Sequence, residues 1–164
     1  MTDQNNEQSQ FELFTAELNA TAGDGAAAFT HFNSWDMSQG AVIQKIIRTH
    51  LKYLHGKLDT ADAKSIGKWL SKQTGLEYKE DSKHLLKQMT IYAFSKPEDR
   101  KDENQREKLK NTFTVVYKLH DDENIDENTD IVGTLFKNGV EAYRLKKTDE
   151  AKGGSAGKET RKEK

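Results

Sequence analysis

No cysteine occurs anywhere in this chain, so disulfides, thiolate metal centres and a catalytic thiol are excluded at once. Long apolar runs are missing too. Nothing approaches the roughly 20 apolar residues of a bilayer-spanning helix, and Met1 to Gln10 has neither the basic start nor the apolar middle of a signal peptide. The expectation is therefore an intracellular, cytoplasmic protein. Apolar content is low as well: of 164 residues, 34% are hydrophobic and 32% charged, which is polar for one compact domain. Part of the length is expected to stay outside the core.

Motifs that carry chemistry are also wanting. The five histidines are scattered, and His50 and His55, five apart, do not share one helical face as a ligand pair would. His50 falls on an apolar side and reads as a core histidine with one hydrogen bond. Asp122, Asn124 and Asp126 occupy alternate places like the start of a calcium loop, but Glu127 stands where glycine is needed and Gly133 where a bidentate glutamate is needed. Gly157-Lys158 lacks the upstream glycine and the framing strand of a phosphate loop. No serine, histidine and aspartate set emerges from spacing alone. The expectation is a non-enzymatic protein without a metal or cofactor.

What the chain does have is segregated charge. The formal net charge is −1, yet residues 1–40 hold six acids and no lysine or arginine, residues 41–96 hold eleven bases against five acids, and residues 121–130 hold six acids and no base. Within 41–96, three successive helical patterns back an apolar face with a basic one. About Gly40 to His55, the apolar face is Ile43, Ile46, Ile47, Leu51 and Leu54, opposite Lys45, Arg48, Lys52 and His55. About Thr60 to Gln73, Ala63, Ile66 and Leu70 face inward while Lys64, Lys68 and Lys72 align at i, i+4 and i+8. Asp59 or Thr60 suits the start of that helix and Gly75 its end. From Asp81, a good cap, Leu85, Leu86, Met89 and Ala93 lie inside with Lys83 and Lys87 outside, and Lys79 extends the line. Like charges at i, i+4 cost about 0.2–0.5 kcal/mol per pair, so such rows do nothing for stability.

Elsewhere the pattern is weaker. Phe11, Leu13, Phe14 and Leu18 suggest a short amphipathic helix ended by Gly23-Asp24-Gly25, followed by an aromatic run at Phe29, Phe32 and Trp35. The acidic block 1–36 beside the basic block suggests an arm that folds over the basic helices and leaves when a polyanion binds. Ser95-Lys96-Pro97 reads as a cap with proline at the first helical position, and the charged stretch 98–110 as an exposed helix or linker. From Thr112, Phe113, Val115, Tyr117 and Leu119 alternate as in a half-buried strand. Asn138-Gly139 between Ile131–Phe136 and Val140–Leu145 is a strong hairpin signal, although Val132, Phe136, Val140 and Tyr143 also fit helical spacing. The fold expected is α+β: four to five helices, then a small C-terminal antiparallel β-sheet. Residues 11–146 would form one domain, between a disordered N-terminus (1–10) and a disordered basic tail (147–164).

Five of the seven Trp and Tyr residues adjoin a base, as in Lys52-Tyr53, Lys68-Trp69 and Tyr78-Lys79. Rings that stack on bases beside cations that hold phosphates are what a single-stranded nucleic-acid surface needs. The sequence thus implies binding of single-stranded DNA or RNA, rather than duplex, through Lys45, Arg48, Lys52, Tyr53, His55, Lys64, Lys68, Trp69, Lys72, Lys79, Lys83 and Lys87. With about six phosphate contacts, affinity would fall roughly a thousandfold for a fourfold rise in salt. The alternative is a regulatory protein-interaction module whose basic helices dock an acidic partner, or the acidic segments of another copy.

Overall fold

The computed structural model describes residues 10–30 and 37–147, and every regular element among them is helical. The order is α1 Gln10–Thr30, α2 Met37–Tyr53, α3 Ala61–Thr74 and α4 Ser82–Phe94. A 3₁₀ turn at Pro97–Asp99 follows, then α5 Glu103–Lys108, α6 Lys110–His120, α7 Ile131–Thr134 and α8, residues 140–147. None of these is long and apolar enough to cross a membrane.

The bundle is built around α4. Its sequence is apolar on nearly every side, and a helix of that kind must be enclosed. Leu85, Leu86 and every residue from Gln88 to Phe94 are buried, with α1, α2, α3 and α6 packed around them. α1 contributes Phe14 and Leu18, α2 Ile43, Ile46 and Ile47, α3 Ile66 and Leu70, and α6 Val115, Val116 and Leu119. Four buried hydroxyls are satisfied within their own helices: Thr21, Thr49, Thr74 and Thr90 each donate to the carbonyl four residues earlier. The amide of Gln88 donates to Thr74 Oγ1 and to the Leu76 carbonyl, at 3.4 and 3.3 Å.

The helix ends expected from sequence are present. Thr60 Oγ1 accepts from the Ala63 amide at 3.1 Å, and Gly75 ends α3 with φ +76°, a conformation that costs other residues Cβ strain. Asp81 accepts from the His84 amide at 2.8 Å. Pro97 opens the 3₁₀ turn, with Lys96 rather than Ser95 at its cap.

The C-terminal β-sheet is not there. Residues 110–120 form α6, in which Thr112, Phe113, Val115, Val116 and Leu119 are buried. That set recurs at i, i+3, i+4 and i+7, the stripe of a helix, and packing it on α4 overrides the strand propensity of its threonines and valines. An isolated two-stranded sheet would have had little to bury against. At Asn138-Gly139 a type I′ turn needs positive φ at both residues, but among the described residues only glycines have it, Gly139 at +100°. Its carbonyl accepts from the Tyr143 amide at 3.2 Å and so starts α8. Phe136, Val140 and Tyr143 are buried by the helical alternative. Gly40 in α2 leaves room for Phe136, whose Cδ2 would lie 3.0 Å from an added Cβ.

Two other expectations change. α1 runs through Gly23-Asp24-Gly25 to Thr30 instead of stopping there, because its packing against α2 and α4 outweighs two glycines at roughly 1 kcal/mol each. It is also not a detachable arm: Phe14 and Leu18 are fully buried. The expected disordered ends and the aromatic run at Phe32 and Trp35 lie outside the described residues, apart from Gln10 in α1 and Lys147 in α8. Since Phe14 meets Tyr53 edge to face inside the core, Phe14→Ala should cost about 3–5 kcal/mol in urea denaturation. An arm that merely rests on the surface would show no such loss.

Candidate functional site

The three basic rows differ in what surrounds them. On α2, Lys52 donates to Glu17 of α1 at 3.2 Å, and the Tyr53 hydroxyl donates to the same carboxylate oxygen at 2.5 Å. Hydrogen bonds with Tyr53 and Glu17 raise the Lys52 pKa, while burial first, and then Glu17, raise that of Tyr53. Arg48 donates weakly to the Thr129 carbonyl at 3.4 Å and is half-buried. Lys45 is exposed and, with Arg48, lines a recess of about 240 Å³ whose wall includes Glu17. This row therefore already faces an acid.

The α4 row is likewise engaged. Lys83 pairs with Asp121 at 2.9 Å, and its ammonium lies 5.9 Å from the Tyr117 ring centre. Lys87 sits 5.4 Å from the Phe113 ring centre in a groove it shares with Glu103 and Glu107. On α3 the situation is opposite. Lys64, Lys68 and Lys72 are all exposed, and among the described residues none has an ion-pair partner. Lys79 is exposed on the segment leading to α4. Because α2 packs on α1 and α7, and α4 turns its lysines toward α5 and α6, the three rows do not merge into one surface.

The aromatic half of the expected site is largely inside. Tyr53 is only 3% exposed, so no face of its ring is free to stack on a base. Trp69 is half-buried between Phe11 at 6.3 Å and Tyr92 at 4.9 Å. Arg100 stacks on Tyr92, 3.5 Å from its centre. The rings next to lysine in sequence thus seal the core edge.

A second cluster, not legible in the sequence, joins α2, α4 and α6. Ser82, the first residue of α4, places Oγ 3.0 Å from His50 Nε2 and 2.9 Å from His120 Nε2. His120 Nδ1 lies 3.0 Å from Asp121 Oδ1, and Asp121 Oδ2 accepts from Lys83. His55 completes a triangle of imidazoles, its ring centre 6.5 Å from His50 and 6.4 Å from His120. The hydrogen bond from Lys83, followed by that from His120, holds the Asp121 pKa below its usual value, so this acid is a carboxylate at neutral pH. When His120 is neutral, this carboxylate takes Nδ1–H from it and leaves Nε2 as an acceptor for the Ser82 hydroxyl proton. His50 must then be the Nε2–H donor to Ser82 Oγ. His50 was expected to be a core histidine, and at 1% exposure it is one.

Asp122 and Asp126, which resemble the start of a calcium loop, accept from the amides of Asn124 and Asn128 and so tighten turns in the 121–130 loop. Among the described residues no group of three or more potential ligands has metal-site geometry. Comparison of the chain with known family models, curated proteins and solved structures finds no match.

Burial, and then the nearby His120, lower the His50 pKa from 6.5 to about 3. The unfolded chain therefore binds a proton near pH 6.5 that the folded one refuses until about pH 3, and stability present above pH 6.5 is lost as the pH falls. About 2 kcal/mol should disappear between pH 7 and pH 5 in urea denaturation. His50→Gln, which has no group titrating in this range, should flatten that slope by a similar amount.

Proposed function

We propose that the protein binds a polyanion, most simply the phosphate backbone of a nucleic acid, along the outer face of α3. The observation that carries this reading is the contrast between rows: Lys52 of α2 and Lys83 of α4 pair with acids of the fold, whereas Lys64, Lys68 and Lys72 stay exposed and, among the described residues, have no ion-pair partner. Two i, i+4 lysine pairs on one helix oppose folding slightly, so stability gives no reason for them. At 1.5 Å rise per residue they present a cation about every 6 Å, a regular array that suits a repeating anion better than a single small one.

Relative to the sequence-based expectation, the interface is smaller and simpler. With Tyr53 inside and Trp69 half-covered, stacking contributes little support. The reading rests on phosphate contacts, without base readout and without a choice between single strand and duplex. Lys79 stands near enough in sequence to extend the face; Lys45, Arg48, Lys52, Lys83 and Lys87 fall away from it. Docking to an acidic protein, including the exposed Glu123 and Glu127 of another copy, uses the same lysines and is distinguished by experiment.

Fluorescence anisotropy with labelled oligonucleotides tests the reading. About three phosphate contacts predict a 20- to 40-fold loss of affinity for a fourfold rise in salt. Lys68→Glu with Lys72→Glu should weaken binding at least about tenfold and leave the melting temperature unchanged or slightly raised, since it breaks up the like-charge row. Lys83→Gln should leave binding within about twofold. Equal losses in both variants, or salt-insensitive binding, would refute the α3 face. Salt-sensitive self-association without oligonucleotide binding would move the reading to a second copy.

A further inference from the structure

We propose that Ser82 is a reactive nucleophile, activated by His120 and Asp121, that accepts an acyl group from carboxylic esters. A nucleophile–base–orienter arrangement is recognised by its geometry and not by chain order. Here the two distances are 2.9 Å from Ser82 Oγ to His120 Nε2 and 3.0 Å from His120 Nδ1 to Asp121 Oδ1. Both lie within hydrogen-bond reach.

With His120 in its neutral form, the surroundings give each proton a direction. Asp121, anchored by Lys83 at 2.9 Å, fixes the His120 tautomer. His50 approaches Ser82 Oγ from the other side, at 3.0 Å. It is buried against His120 and His55, with the Lys83–Asp121 pair just beyond, and donates its Nε2–H. The hydroxyl proton of Ser82 then has one acceptor, His120. His50 is thus a positioning residue, and Ser82 and His120 are the reacting groups. The site also opens outward: Ser82 is partly exposed, and the side chains of His120 and Asp121 are 17% and 56% exposed. Ser82 opens α4, where the His84 amide is capped by Asp81 and the amides of Ser82 and Lys83 precede the first intrahelical acceptor.

The step balances within these groups and the ester. Oγ bonds to the carbonyl carbon as its proton passes to His120 Nε2, and Asp121 holds the resulting imidazolium. The ester C–O bond breaks, and the departing alkoxide takes that proton as an alcohol. Water, giving a proton to His120, then attacks the acyl-serine and releases the carboxylic acid, restoring the hydroxyl. No oxidant, metal or further reactant is consumed. The proposal does not rest on the α3 lysines.

Incubation of the full chain with a fluorophosphonate tests it directly: Ser82 Oγ forms the bond to phosphorus, fluoride leaves, and the proton goes to His120. One adduct per chain, mapped to Ser82 by peptide mass spectrometry and lost in urea, is the expected result. Asp121→Asn, a change at an exposed side chain, should slow labelling at least about tenfold with an unchanged circular dichroism spectrum. Lys68→Glu with Lys72→Glu should label at the wild-type rate, which separates this site from the polyanion face. p-Nitrophenyl acetate should give a burst of nitrophenolate stoichiometric with protein. Absence of an adduct, an adduct on another serine, or equal rates in Asp121→Asn would overturn the proposal.

Discussion

Enclosure of α4 is the constraint from which the rest of this structure follows. A helix whose sequence from Leu85 to Phe94 has almost no polar side must be covered from several directions, and four neighbours supply the cover. Burying each large side chain is worth about 2 kcal/mol, which is enough to hold α1 helical through two glycines and α6 helical despite its β-branched residues. Apart from Lys87, the same enclosure leaves only the first turn of α4 near solvent. Ser82, Lys83 and His84 are there, together with partners from α2 and α6. Apart from Lys87, the basic side chains of α4 collect at that end, while Gln88 and Thr90 are buried with their protons donated inside the fold.

Charge is arranged by the same packing. Once α1 is fixed against α2, Glu17 lies beside Lys52 and Tyr53. Once α6 lies along α4, Asp121 reaches Lys83. Both ion pairs are substantially exposed and worth well under 1 kcal/mol, so they do not hold the bundle together. Their effect is to set an acid beside one lysine of α2 and one of α4, whereas among the described residues no ion pair joins Lys64, Lys68 or Lys72 of α3.

Local features of the fold were legible in the sequence, and distant ones were not. Thr60, Gly75 and Asp81 act within a turn of their own position, so cap chemistry identified them. Ile43, Ile66 and Leu85 repeat with a clear helical period. The region after Thr112 misled because Phe113, Val115, Tyr117 and Leu119 alternate while Thr112, Val115, Val116 and Leu119 fit a helix, and only packing decides between two patterns sharing the same residues. For the site, exposure of the α3 lysines could be read from their face. Neutralisation of Lys52 and Lys83 could not, since their acids lie 35 and 38 residues away. The Ser82 cluster was hidden for the same reason, and the one hint was His50, a polar ring on an apolar face that had to find a partner.

The threonine hydroxyls that bond back into their own helices need no partner on a neighbouring one, so many contacts between helices are apolar and non-directional. Such a core accepts exchanges of similar volume at small cost, and its Leu, Ile and Val positions are free to drift. Directional ties between elements include the Val132 amide on Gln44 at 2.8 Å, Arg106 on the Thr74 carbonyl at 2.6 Å, Gln105 on the Phe94 carbonyl at 3.4 Å, Lys52 and Tyr53 on Glu17, and Ser82 between its two histidines. A distant relative of this chain would be recognised by those pairs changing together, long after the apolar pattern had stopped resembling this one.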